Sequence, residues 1–117
     1  MDLNDYQKET CKFMQETSKN DMYVLSGLRA EVGEIDDLIA KGIRKGEICT
    51  DDNNILFLEK EQEYMERMEK EIGDTLFFVA QLAHRYGLTL DNVALTNIHK
   101  LEDRQQRGVI IGEGDNR

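Results

Sequence analysis

The stretch GLRAEVGEIDDLIAK, residues 27–41, decides how this chain folds. Its apolar residues Leu28, Val32, Ile35 and Ile39, with Leu25 just before, recur in alternating steps of three and four, the period of an α-helix that packs along one stripe. Set beside that stripe are two carboxylates three residues apart, Glu31 and Glu34, about one turn from each other on one face. A second stretch, EKEIGDTLFFVAQLA at residues 69–83, repeats the arrangement with Glu71 and Asp74. Each pair encloses an apolar residue and a glycine, and each runs on into apolar sequence.

Outward from these stretches the chain reads as helix throughout. A weakly amphipathic first helix over 4–17 carries Tyr6, Phe13 and Met14, and residues 18–21 hold capping and turn chemistry. The second helix spans about 21–41, with Gly42 and Gly46 closing it. GEICTDDNN at 46–54 reads as an exposed acidic loop. Residues 55–86 form one long helix or two: the first half is polar with Leu58, Met65 and Met68 as anchors, the second apolar almost all round. Gly87 ends this segment, and Thr89 caps a fourth helix over 90–106 with Val93, Ile98 and Leu101 inward. The tail, 108–117, is an ordered loop or a flexible end. No proline interrupts the 117 residues, which suits long helices and disfavours a turn-rich β domain. The expected fold is all-α: one domain over 1–117, a four-to-five-helix bundle completed by dimerisation, with an acidic loop and arm inserted at about 46–66 and a Gly-rich tail at 108–117.

Composition excludes several function classes. Twenty-four acidic residues against fifteen basic give a net charge of −9, which disfavours nucleic acid as a partner. A nucleotide substrate stays open, because bound cations can reverse the local sign. Cys11 and Cys49 lack metal-ligand spacing and read as reduced thiols. No stretch approaches the ~20 apolar residues of a membrane span, and the start lacks a basic-then-apolar pattern. The expectation is a cytoplasmic protein with no membrane partner. His84 and His99 follow Gln81 and Thr96 at three residues, so the Glu-x-x-His pairs of di-iron bundles are missing. No Walker-type loop or Gly-x-Ser-x-Gly elbow occurs.

The three-residue carboxylate spacing also occurs at Asp2/Asp5, Glu63/Glu66 and Glu66/Glu69, which read as solvated faces. Glu31/Glu34 and Glu71/Asp74 differ in bordering apolar stripes. Four carboxylates at a core margin repel one another and lose hydration, a conflict that a hard divalent cation removes. Gly33 and Gly73, each about 1 kcal/mol worse than Ala inside a helix, read as points of close backbone approach across an antiparallel crossing. From the residues alone the pairs stand either as a shared metal site or as surface-edge carboxylates.

GLRAEVGEIDDLIAK, followed by EKEIGDTLFFVAQLAHRYGLTLDNVALTNIHKLEDR, resembles the MazG-like branch of the all-α nucleoside triphosphate pyrophosphohydrolases across residues 27–104. The closing RGVIIGEGDNR looks like the tails of single-domain members. Thirty-six residues, 35–70, separate Glu34 from Glu71, more than is usual, and read as a surface insertion that spares the metal site but changes what covers the substrate. The resemblance implies a homodimer or a dimer of dimers in which Glu31, Glu34, Glu71 and Asp74 hold magnesium, or manganese in its place. It implies cleavage of a nucleoside triphosphate between the α- and β-phosphates, with Glu34 as the candidate general base and Glu31 beside it. Asn97, Lys100 and Arg104 match the family's polar positions and would bind phosphate or sugar; otherwise Lys100 and Arg104 form a basic face pairing with Glu102 or Asp103. Lys41 either meets the outer phosphates or serves the dipole at the end of its helix. Arg44, Lys45, Arg107 and Arg117 read as solvated cations that could close over phosphates. Tyr6 and Phe13 are candidate base contacts, and Phe77 and Phe78 belong to a core or an interface. Two other functions fit: a non-catalytic helical interaction module, and a pyrophosphohydrolase of nucleoside diphosphates or of a phosphoribosyl-ATP-like substrate.

Overall fold

Asn20 starts the longest stripe as a helix because its side-chain oxygen accepts the Tyr23 N–H at 2.7 Å, satisfying one of the free first-turn donors. The computed structural model describes residues 1–115, which form α1 (Leu3–Cys11), a 3-10 turn (Glu16–Ser18), α2 (Asp21–Arg44), β1 (Ile48–Asp51), β2 (Asn54–Phe57), α3 (Glu61–Arg85) and α4 (Leu90–Gln106). Thr89 caps α4 through the Asn92 N–H at 3.3 Å. The architecture is the helical one expected, with a small two-stranded hairpin added.

α2 and α3 make the largest interhelical interface and run antiparallel, tied at three levels. At one end the Arg85 guanidinium and the Tyr86 hydroxyl both donate to the Asp21 carboxylate. Next, the Phe78 ring lies where a Cβ on Gly27 would sit, with the rings of Tyr23 and Phe77 5.8 and 5.2 Å away. At the far end Ile48 fills the space above Gly42, and the Tyr64 hydroxyl would stand 3.0 Å from a Cβ there. Leu38, Ile48 and Tyr64 form a buried cluster flanked by Ile39, Phe57 and Met68.

α1 is fastened to the α3–α4 corner by a buried side chain. Gln7 Nε2 donates to the carbonyls of Ala80 (3.2 Å) and Leu88 (2.9 Å), and its Oε1 accepts the Leu90 N–H at 3.0 Å. Gln81 Nε2 donates to the Thr10 hydroxyl at 2.8 Å, and Asn4 accepts the Asp91 N–H at 3.0 Å. The bonds to the Leu88 carbonyl and to the Leu90 and Asp91 N–H groups satisfy backbone groups that the turn at Gly87 leaves without helical partners.

Several expectations change. The supposed acidic loop and the start of the following helix are an antiparallel hairpin, with Ile48 opposite Phe57 and Asp51 opposite Asn54. The β-branched residues Ile48, Thr50 and Ile55, with Phe57, favour the extended chain, and Asp52 takes the left-handed turn position at φ +53. The first helix stops at Cys11 rather than continuing to residue 17. Third, Gly33 and Gly73 have open space beside them, and close approach occurs at Gly27 and Gly42 instead. Last, the residues expected inward on α4 lie on its surface: Ile98 is 49% exposed, and Val93 and Leu101 are exposed too. On α2, Val24 and Leu38 are buried while Leu25 and Val32 are exposed, and in the arm Tyr64 is the anchor in place of Leu58 and Met65. The radius of gyration, 17.6 Å, exceeds the roughly 13 Å of a close-packed chain this long, so one copy leaves apolar faces uncovered.

Because a methyl at residue 27 must displace the Phe78 ring, Gly27→Ala should lower unfolding stability by about 1–3 kcal/mol. Gly33→Ala, with nothing near it, should be neutral or stabilising by up to about 1 kcal/mol. Urea unfolding of the two variants side by side checks the difference.

Candidate functional site

The ties at Gly27–Phe78 and Gly42–Tyr64 bracket both carboxylate pairs. Between them the antiparallel register brings Glu31 level with Asp74 and Glu34 level with Glu71. One carboxylate oxygen from each of Glu31, Glu71 and Asp74 lies within 4.8 Å of the other two. Glu31 and Glu71 are half-buried, and Asp74 and Glu34 are exposed. Glu34 stands outside the three-residue group, one turn along α2. The Thr75 hydroxyl donates to the Glu71 carbonyl at 3.0 Å inside the same turn of α3.

Electrostatics mark the cluster as uncompensated. Burial pushes the Glu31 carboxyl above its ordinary range, and the charges of Asp74, Glu71 and Glu34 push it the same way. Burial also raises the Tyr6 hydroxyl, with Asp74 adding to the rise, so α1 brings a phenol to the edge of the cluster. Among the described residues no ion pair reaches Glu31, Glu34, Glu71 or Asp74. Three convergent carboxylate groups with water access are a donor set that fits a hard divalent cation.

The other candidates lie elsewhere. Lys41 pairs with Asp37 at 2.6 Å, one turn back on its own helix. Asn97 is on the exposed face of α4. Lys100 and Arg104 share Asp115 as partner instead of Glu102 or Asp103, and Asp103 pairs with Arg107 at 2.9 Å. Arg44 and Lys45 are exposed at the end of α2, and Phe13 is exposed beyond α1. Arg117 lies outside the described residues. Phe78 is buried and Phe77 half-buried. Sequence reasoning missed Gln7 and Asp115: a glutamine in a polar helix and an acid in a glycine-rich tail carry no periodic signal.

Residues 19–109 match the family model of the MazG nucleotide pyrophosphohydrolase domain. The chain belongs to this family. The matched span takes in α2, the hairpin, α3 and α4 with all four carboxylates, and leaves out α1 and the end of the tail. The Gene 37 protein of Mycobacterium phage L5 is 38% identical over 96 residues, which cover 81% of this chain and 75% of that protein. No solved structure matches the chain. Membership of the MazG family points to nucleotide pyrophosphohydrolase activity, and a carboxylate cluster able to take a divalent cation is what that chemistry needs. No helix among the described residues is long and apolar enough to cross a membrane.

A raised Glu31 pKa means that the folded, metal-free protein holds this proton more tightly than the unfolded chain does. Its stability therefore falls as pH rises from the ordinary glutamate value through the raised one, and Glu31 contributes nothing below both. Glu31→Gln should raise the melting temperature of metal-free protein at about pH 7.5 and leave it nearly unchanged at about pH 4. A lower melting temperature for the variant at the higher pH would contradict the assigned burial and repulsion of the Glu31 charge.

Proposed function

We propose that this protein hydrolyses a ribo- or deoxynucleoside triphosphate to the monophosphate and pyrophosphate, using divalent cations held by Glu31, Glu71 and Asp74 with Glu34 at their side. The observation carrying this reading is the convergence of three carboxylates from facing helices, without a cationic partner among the described residues, inside the matched MazG domain. Magnesium, or manganese in its place and with two or more ions per site, would supply the positive charge that neutralises phosphate oxygens and acidifies a water. Glu31, Glu71 and Asp74 fix the geometry from two helices whose register is locked on both sides. Glu34, exposed one turn away, takes the proton of the attacking water, with Glu31 as its neighbour. As the water oxygen bonds to the α-phosphorus, the bond to the α–β bridging oxygen breaks and pyrophosphate departs. On this reading Lys100 and Arg104 receive phosphate oxygens, Asn97 the sugar or a phosphate, and Lys41 the outer phosphates.

The uncovered apolar faces of α2, α3 and α4 favour a homodimer or a dimer of dimers as the working form. Val32 is 48% exposed directly beside Glu31, and Ile72 and Leu76 are exposed around Asp74, so a second copy would shield the site's flank from water. Its place of work would be the cytoplasm, where triphosphates are abundant.

A panel of ribo- and deoxynucleoside triphosphates with magnesium, scored for monophosphate and pyrophosphate, tests the activity. Glu71→Gln and Asp74→Asn should each lower kcat/KM by about 1,000-fold, ~4 kcal/mol of transition-state stabilisation. An imide between the α- and β-phosphates should block release, whereas one between β and γ should not. Undiminished turnover in both variants rejects the site, and metal binding without turnover on any substrate favours a non-catalytic partner role.

A further inference from the structure

Arg104 sits in the last turn of α4, an exposed position in most helices, yet it is only 3% exposed. The tail covers it. Gly108, at φ +70, lets the chain leave the helix, and the Val109 N–H returns to the Arg104 carbonyl at 2.9 Å. The Gly112 N–H then closes a turn on the Val109 carbonyl at 2.9 Å, and Gly114, at φ +76, reverses the chain again. This path delivers one oxygen of Asp115, Oδ1, to Lys100 Nζ at 3.3 Å and Arg104 Nη2 at 3.0 Å together. The same Nη2 donates to the Gly114 carbonyl at 3.3 Å. Arg104 Nε is buried and donates to nothing among the described residues.

A guanidinium offers Nε and Nη2 as a two-armed fork, and here only one arm is engaged. A single carboxylate oxygen shared between two cations leaves both undersupplied. The Asp115 side chain is itself 84% exposed, so its ion pairs are open to water and screened by salt. A polyphosphate brings several anionic oxygens, enough for Nε, Nη2 and Nζ each to take its own.

We propose that Lys100 and Arg104 form an anion site whose resident occupant is the chain's own Asp115, and that a di- or triphosphate binds there by displacing this carboxylate. The inference rests on, and deepens, the reading of the chain as a triphosphate pyrophosphohydrolase. Asp115 acts as a built-in competitor. Between turnovers it supplies counter-charge to a buried guanidinium that would otherwise stand alone. It also sets a threshold, because an anion offering a single weak contact gains nothing by replacing it, whereas a chain of phosphates does.

Calorimetric titration of inorganic pyrophosphate into the full chain, stripped of metal on a chelating resin, tests this without turnover and without the carboxylate cluster's cation. Asp115→Asn should bind pyrophosphate about fivefold more tightly than the wild type, the factor by which a weak exposed ion pair competes. Lys100→Gln should bind it more weakly, and serves better than a change at buried Arg104, which could unfold the end of α4. Equal or weaker binding by Asp115→Asn overturns the proposal and makes the aspartate a structural support for the tail. A protein that hydrolyses no triphosphate but gains pyrophosphate affinity in Asp115→Asn would sink the enzymatic reading and keep this one. A protein that hydrolyses triphosphates with unchanged affinity in the variant would do the reverse.

Discussion

Everything at the acidic site depends on the register between α2 and α3. An antiparallel helix pair can slide by a turn with little loss of apolar contact, and such a slip would carry Glu31 past Asp74. Two steric locks prevent it. The Phe78 ring occupies the notch at Gly27, and Ile48 with Tyr64 occupies the notch at Gly42. A ring in a notch has one seat, since the positions one turn either side on the same face of α2, Tyr23 and Glu31, carry side chains of their own. The burial and the repulsion that raise the Glu31 pKa are held in place by these contacts, and the folded chain keeps three mutually repelling carboxylates within reach of one ion.

Much of this was legible in the sequence. Helical period, the paired carboxylates and Thr89 as a cap led directly to α2, the apolar half of α3 and all of α4, whose bounds match. The roles of the glycines were not legible. Gly33 and Gly73 sit between the acids and invited a packing role, whereas the packing glycines are Gly27 and Gly42, distinguishable only by what lies across from them. A glycine's local sequence says that a side chain is missing and says nothing of which neighbour fills the gap. The hairpin was hidden by its charges: Asp51, Asp52 and the glutamates around it suggested an acidic loop, although ICT and ILF flank a two-residue turn in the strand-forming manner. The inward face of α4 was misplaced because period reveals which residues share a face and cannot say whether this copy of the chain covers it.

α1 lies outside the matched family span, yet it is bonded to the centre of the molecule through Gln7, which meets three backbone groups at the α3–α4 corner. One residue from that anchor, Tyr6 comes under the influence of Asp74. The surroundings of the acidic cluster are thus shaped partly by a segment with its own sequence, while the acids themselves sit within the shared domain. The apolar residues left open around Val32 and Ile72 make the other wall of that environment.

The hairpin is anchored below Gly42, and its base is closed where the Glu47 carbonyl accepts the N–H groups of Leu58 and Glu59. It therefore hangs outboard of the second lock, with both strands entering and leaving on the same side. Chain length can change at its tip, between Asp51 and Asn54, without shifting either long helix. This end of the molecule is a natural port for a peptide graft or a reporter label, and it is where relatives could diverge in size while keeping the same centre.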